Sequence, residues 1–223
     1  METTAVLEQA PSPTRSRVLD ESISWLDSLL NEDMAATEVR ARATERVRAT
    51  VALRREQVQA AEDLVRRRYA WRGYGLAWES RAMAAPLVTL LAQSGKSILG
   101  TLTVRPSGTT ALFAEHSYGA EIADLRRGGR RVGELIRLAI EEGSDWRAAL
   151  DSLVRSAYVV TRFMHALTDV VIEVNPRHVR FYERVFGFAA AAAQSFCLRV
   201  GAPSVLMLLE LEQFGRRLES LTI

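Results

Sequence analysis

Between Val170 and Phe188 the sequence writes out a strand, its stop and the helix that follows. Val170 to Val174 is a short, mostly apolar run that reads as a strand. Asn175 stands at its end. Pro176 opens a helix at the first position, where its missing N–H is no loss and its fixed φ is already helical. Gly187 ends that helix. A strand running straight into a helix belongs to a layered fold of sheet and helices.

The rest of the chain extends this pattern. Leu87 to Gln93 and Ile98 to Val104 are β-rich runs joined through Ser94-Gly95-Lys96-Ser97, a hairpin. Leu112 to Leu125 reads as a helix, and Glu134 to Ile140 as a short strand. Ser144 is the expected N-cap of the clearest helix, in which Leu150, Leu153, Val154, Ala157, Tyr158, Thr161 and Met164 recur at three- and four-residue spacing. Phe196, Leu198 and Val200 alternate, and Val205 to Leu211 is the last expected strand. Upstream, Val47, Val51, Val58, Ala61, Leu64 and Val65 suggest one long helix running into the aromatic segment Tyr69–Gly75. The order predicts an α+β domain over 46–223, with a mixed central sheet and helices on both faces. Residues 1–45 are expected to form a flexible tail with a short amphipathic helix, Val18 to Leu30.

Composition narrows the function. A chain of 223 residues that is 48% hydrophobic supports one well-buried core. Cys197 is the only cysteine, so no internal disulfide is possible, which fits a reducing compartment. No apolar run nears the ~18 residues of a membrane span. Met1-Glu2-Thr3-Thr4 lacks the basic and apolar regions of a secretory signal. The expectation is a cytoplasmic protein without integral membrane association. Lys96 is the only lysine among 29 basic side chains, so a lysine nucleophile could be no other residue. The arginines of 34–72 and of Arg126, Arg127, Arg130 and Arg131 could face nucleic acid or an acidic protein. No zinc finger or stacking-aromatic motif accompanies them, and nucleic-acid binding is not expected. His116, His165 and His178 have no metal-ligand spacing, and no metal site is expected.

Two segments carry chemistry. Val174 to Phe188 sets Asn175 at a strand end, places Tyr182 and Phe186 one helical turn apart, and closes on Gly187-Phe188. It resembles the matching strand–helix unit of the GNAT superfamily of N-acyltransferases, in which the tyrosine sits beside the leaving sulfur. Glu134-Leu135-Ile136-Arg137 is a Glu-x-x-Arg on a strand, similar to that of the acyl-homoserine-lactone synthases. With Leu99 to Pro106, Leu125-Arg126 and Gly129-Arg130-Arg131, it resembles the long-chain N-acyl amino acid synthases more closely still. The resemblance spans residues 56–211.

That resemblance implies direct transfer of an acyl group from a thioester to an amine, with no permanently bound cofactor. It makes Tyr182 the proton donor to the departing thiolate and Glu134 the group that holds or deprotonates the incoming ammonium. It implies that a backbone N–H near Leu138, Ala139 and Ile140, where the strand bulges, polarises the carbonyl. Arg137 is expected to orient or pack, and Asn175 to satisfy backbone groups beside the thioester. The chain departs from CoA-using members at Glu141-Glu142-Gly143-Ser144-Asp145. A glycine-rich diphosphate cradle stands there in most of them, whereas these carboxylates would repel a diphosphate. The expected donor is therefore the acyl-phosphopantetheine thioester of an acyl carrier protein, with acyl-CoA the second choice. Arg126, Arg127, Arg130 and Arg131 are the expected docking site for that acidic partner. The acceptor is a primary amine, of an amino acid first and of a peptide side chain second. The alternatives are an acetyl-CoA-dependent acetyltransferase, a catalytically inactive partner-binding protein of the same fold, and an acyl-homoserine-lactone synthase. Trp71, Tyr74 and Trp78 are candidates for an acyl-pocket floor, against a plain core role.

Overall fold

The computed structural model of the chain describes residues 47–71, 73–74, 87–106, 108 and 111–220. The expected tail and amphipathic helix at 1–45, and Trp78, lie outside them. The described elements are β1 (Arg48–Val51), α1 (Arg55–Trp71), β2 (Val88–Ser94), β3 (Ser97–Arg105), α2 (Glu115–Arg127), β4 (Val132–Ile140) and α3 (Trp146–Val159). After α3 come β5 (Asp169–Val174), α4 (Val179–Phe181), β6 (Ala189–Ala190), β7 (Ser195–Cys197), β8 (Ala202–Glu210) and α5 (Leu211–Ser220).

The eight strands form one sheet in the order β1-β2-β3-β4-β5-β8, with β6 and β7 both pairing with the remaining edge of β8. All neighbours are antiparallel except β4 and β5. Side chains alternate across a strand, and each face of this sheet has its own cover. On one face, α1 sets Leu64 and Val65 against Ala139, and α2 sets Tyr118 and Ile122 against Val132, Val171 and Leu206. On the other, Ala149, Leu153 and Ala157 of α3 pack on Leu90, Ala92, Leu102 and Val104. There Leu211 and Phe214 of α5 join Val170, Ile172, Met207 and Leu209. This is the mixed sheet with helices on both faces that the sequence predicts.

Four local readings change. Arg48–Val51 is a strand paired to Leu90–Gln93, and the helix starts only at Arg55. The N-cap of α3 is Asp145, whose Oδ1 accepts from the Ala148 N–H at 3.1 Å, while the Ser144 hydroxyl donates to the Glu141 carbonyl at 2.7 Å. The alternation after Phe196 stops at Cys197, because residues 198–201 turn into β8. The chain also continues past β8 into α5. In that helix Gly215 is a contact point, since a Cβ there would run into the Tyr158 hydroxyl.

Candidate active site

The parallel pairing of β4 and β5 lasts only from Val132–Asp169 to Glu134–Val171. Beyond it the strands part, β5 staying with β8 and β4 with β3. On the β3 side β4 also changes step: Thr103 faces Ile136, but Thr101 faces Ala139, so Arg137 and Leu138 share one place opposite Leu102. This is a β-bulge, and Arg137 takes a left-handed φ of 58° to make it. A bulge changes a strand's direction and lets β4 diverge from β5. Past it, the Glu141 N–H donates to the Leu99 carbonyl at 2.8 Å. Alternation then turns the Ile140 N–H toward the edge that β5 has left.

The gap between the strands is a cleft of about 200 Å³ that passes from one face of the sheet to the other. On the α3/α5 face its walls are apolar: Val154, Ala157, Tyr158, Phe186, Leu211 and Phe214. Tyr158 is held edge-on to Phe163 and Phe214, each 5.7 Å away between ring centres. On the α1/α2 face the walls are aromatic and charged: Tyr69, Tyr74, Phe113, Glu134, Glu173 and Arg199.

Glu134 sits where the strands part and is fully buried. Its Oε2 accepts from the Phe113 N–H at 2.7 Å and its Oε1 from the Ala114 N–H at 3.0 Å, so it also ties the start of α2 to the sheet. Burial pushes its pKa up to about 7, against the pull of Arg199 and the two backbone N–H groups. A carboxyl poised near neutrality can take up a proton and release it. Arg199 Nη2 donates to Glu173 Oε2 at 2.6 Å and lies 3.9 Å from Glu134 Oε1. The Ser204 hydroxyl donates to Glu173 Oε1 at 2.8 Å. For Arg199, burial works downward, but Glu134 and Glu173 outweigh it and hold the guanidinium above its ordinary value, charged throughout.

Tyr182 lines the cleft from the helical segment after β5, its ring against Phe181, Phe186 and Phe188 at 5.3 to 6.0 Å. That segment is a composite of a 3-10 turn at Pro176–His178, α4, and a wide π turn at Tyr182–Phe186. Pro176 stands in its first turn, and Gly187 closes it at φ 81°. Asn175 lines the cleft and caps the segment, its Oδ1 accepting from the Arg177 N–H at 3.2 Å. Arg137 and Leu138 line the cleft beside it, while Ala139 packs under α1 and Ile140 under α3. Of the aromatic candidates, Tyr74 reaches the cleft wall and Trp71 is exposed. Cys197 also lines the cleft, a buried thiol whose pKa burial raises.

Arg126, Arg127, Arg130 and Arg131 are placed elsewhere. They lie around the closed, N-terminal end of β4 and are engaged within the chain: Arg126 with Glu115, Arg127 with Asp124, Arg130 with Asp169 and Glu210, and Arg131 with the Ala166 carbonyl. The sequence reading named neither Arg199 nor Glu173. Both come from elements remote in sequence from Glu134, and no spacing motif joins them.

A splayed, bulged β4 beside a strand–helix unit carrying the tyrosine defines a GNAT-type acyltransferase. The FeeM N-acyl amino acid synthase family matches residues 60–210. The chain belongs to that family and is an amide-forming acyltransferase, working from an acyl thioester donor and an amine acceptor. Among solved structures, FeeM itself, an N-acyl amino acid synthase from uncultured soil microbes, superposes with a TM-score of 0.66. It is 23% identical over 76% of this chain and 93% of that one. An N-acetyltransferase of Lactobacillus plantarum follows at TM-score 0.56 and 16% identity, covering 74% of this chain and 98% of that one. The spermidine/spermine N-acetyltransferase SpeG of Vibrio cholerae gives 0.52 and 12%, covering 77% and 98%. At these identities the three show the shared fold. No curated protein sequence matches the chain. Among the described residues no helix is long and apolar enough to cross a membrane.

Proposed function

We propose that the protein moves a medium- or long-chain fatty acyl group from an acyl carrier protein thioester to the α-amine of an amino acid. The observation that carries this reading is the two-sided cleft, apolar on the α3/α5 face and charged on the α1/α2 face, with Glu134, the bulge and Tyr182 between them. The acyl chain lies in the apolar half and the amine enters from the charged half. Glu134, directly or through water, takes a proton from the ammonium. The freed nitrogen attacks the thioester carbonyl carbon, whose oxygen accepts from the outward N–H of the β4 edge near Ile140. The C–S bond breaks as Tyr182 protonates the thiolate. The nitrogen gives up its second proton to restore the Tyr182 hydroxyl, Glu134 releases its proton to solvent, and amide and carrier thiol leave.

A carrier-protein donor is supported by the lip of the cleft. The N-terminus of α3, where a diphosphate would sit, already receives Asp145. Glu141 and Glu142 turn to Arg67 and Arg68 on α1, at 2.7 and 2.8 Å. The engaged Arg126–Arg131 cluster suits docking less well than Arg177, Arg180 and Arg184. These three are exposed on the Tyr182 segment at three- and four-residue spacing, and no carboxylate partners them among the described residues. An acidic carrier fits that stripe.

The test is mass spectrometry of lipid extracts from bacteria expressing the wild type or Tyr182→Phe. New species with the mass of a fatty acyl group condensed with an amino acid, strongly reduced in the variant, are expected. Their absence, with acetylated amines formed from acetyl-CoA in vitro instead, would replace this reading with that of an acetyltransferase. Arg180→Glu combined with Arg184→Glu should raise KM for the acyl-carrier donor about 10-fold at low salt and leave a free acyl-pantetheine donor unaffected.

A further inference from the structure

The charged half of the cleft has donors left over. Arg199 rises from the turn between β7 and β8, and its side chain keeps 25% of its surface exposed beside the cleft. A guanidinium offers five N–H donors in a planar fork, and Nη2 alone is spent, on Glu173. Among the described residues Nε and Nη1 meet no acceptor. The carboxylates beside it are committed elsewhere as well, Glu134 to two backbone N–H groups and Glu173 to the Ser204 hydroxyl.

A second cation stands close by. Arg105 is buried, with its Cζ 4.1 Å from the centre of the Phe113 ring; the Cζ of Arg199 is 4.9 Å from the same centre. Arg105 Nη2 donates to the Ala111 carbonyl at 2.6 Å, yet its Nε and Nη1 are buried without an acceptor. Two guanidinia share one ring and keep unspent donors, and Arg199 stands beside two carboxylates, of which Glu134 is protonated part of the time at neutral pH. A further anion would give these unspent donors their acceptor.

We infer that Arg199 is the anchor for the carboxylate of the amino acid acceptor. This rests on the synthase reading above and deepens it. Fork-to-carboxylate pairing is the strongest recognition a guanidinium makes. In an α-amino acid the amine is two bonds from the carboxylate carbon, so fixing one fixes the other, and the ammonium then faces Glu173 and Glu134. The side-chain amine of a peptide has no carboxylate at that distance, and a decarboxylated amine has none at all. Arg199 touches the substrate but moves no proton; it sets which amines are acylated. Arg105 adds field from behind Phe113.

The experiment measures kcat/KM with L-leucine, L-phenylalanine and L-tyrosine, each against its α-amide and its decarboxylated amine. The enzymes are wild type, Arg199→Lys and Arg199→Gln. The wild type should prefer each accepted amino acid over its amine by about 10- to 100-fold, the worth of a charge-assisted pair. In Arg199→Gln that ratio should fall to within about 3-fold of unity, and Arg199→Lys, which keeps a point charge without the fork, should lie between. Taking the ratio within each variant cancels any general loss of active enzyme. A wild-type ratio retained in Arg199→Gln would overturn the anchor. So would a wild type that acylates amine or amide as fast as the amino acid, a result that needs no variant to fold. A wild type that acylates none of these acceptors removes the synthase reading itself, and the anchor with it.

Discussion

The two ends of β4 contrast within nine residues. From Val132 to Glu134 the strand is buried and paired with β5, and at Glu134 it is paired with β3 as well. From Ile136 to Ile140 it is bulged against β3 and has no partner on the other edge in β5. The first end behaves as core, and the second is a wall of the cleft. Glu134 belongs to both, since it holds the start of α2 and borders the cleft. The lesson is that a site of this kind needs no added element. It is made where an ordinary sheet stops pairing, provided that pairing holds firmly one residue earlier.

The strongest way to break the contrast is at the closed end. A Cβ on Gly133 would press into Leu167 and stand 3.1 Å from the Arg105 carbonyl, so Gly133→Val should cost about 3 kcal/mol or more and abolish cooperative unfolding in a urea titration. The open end should answer in turnover instead. Tyr182→Phe removes only a hydroxyl from an aromatic nest, and kcat should drop about 100-fold while the midpoint of thermal unfolding stays within a few degrees.

Glu134→Gln tests the junction and should move both quantities. Activity of the wild type should rise with pH through an apparent pKa of about 7, because the base must lose its proton. Stability should run the other way. The folded carboxyl binds its proton more tightly than the unfolded one, at about 7 against 4.5, so this contribution is complete below pH 4.5 and is lost as pH rises toward 7. Both slopes should flatten in Glu134→Gln, with turnover at pH 8 reduced about 10-fold. A wild-type pH–rate profile in that variant would remove Glu134 from the proton path. The mildest change is Arg137→Gly, which suits the left-handed φ of the bulge and relieves about 1 kcal/mol of backbone strain. Turnover should fall less than 10-fold if the bulge acts through its backbone.

What could be read beforehand follows the same division. The unit from Val170 to Gly187 was legible because its signals are local: an apolar run, a proline in the first turn and a glycine at the stop. Arg48–Val51 was misread because Val47 and Val51 fit helical spacing, whereas the pairing that makes them a strand lies some forty residues away at Leu90–Gln93. The spacing of Leu211, Phe214 and Leu218 could have revealed α5, but the apolar run of β8 leads directly into it. The bulge was expected through the resemblance alone, because an arginine at positive φ is imposed by register rather than by its own preference and leaves no local signal. Tyr182 and Glu134 were singled out through a resemblance rather than by any spacing. Arg199 escaped, since its meaning depends on two carboxylates from other strands.

Gly215 gives the apolar half of the cleft a remote adjustment. Its single hydrogen leaves the space in which the Tyr158 hydroxyl rests against α5. A methyl group at that position would displace the Tyr158 ring, which lines the apolar half of the cleft, although residue 215 itself is not among the lining residues. Under the proposed function, the room for an acyl chain is thus open to retuning by drift on an outer helix, with every atom of the chemistry left in place.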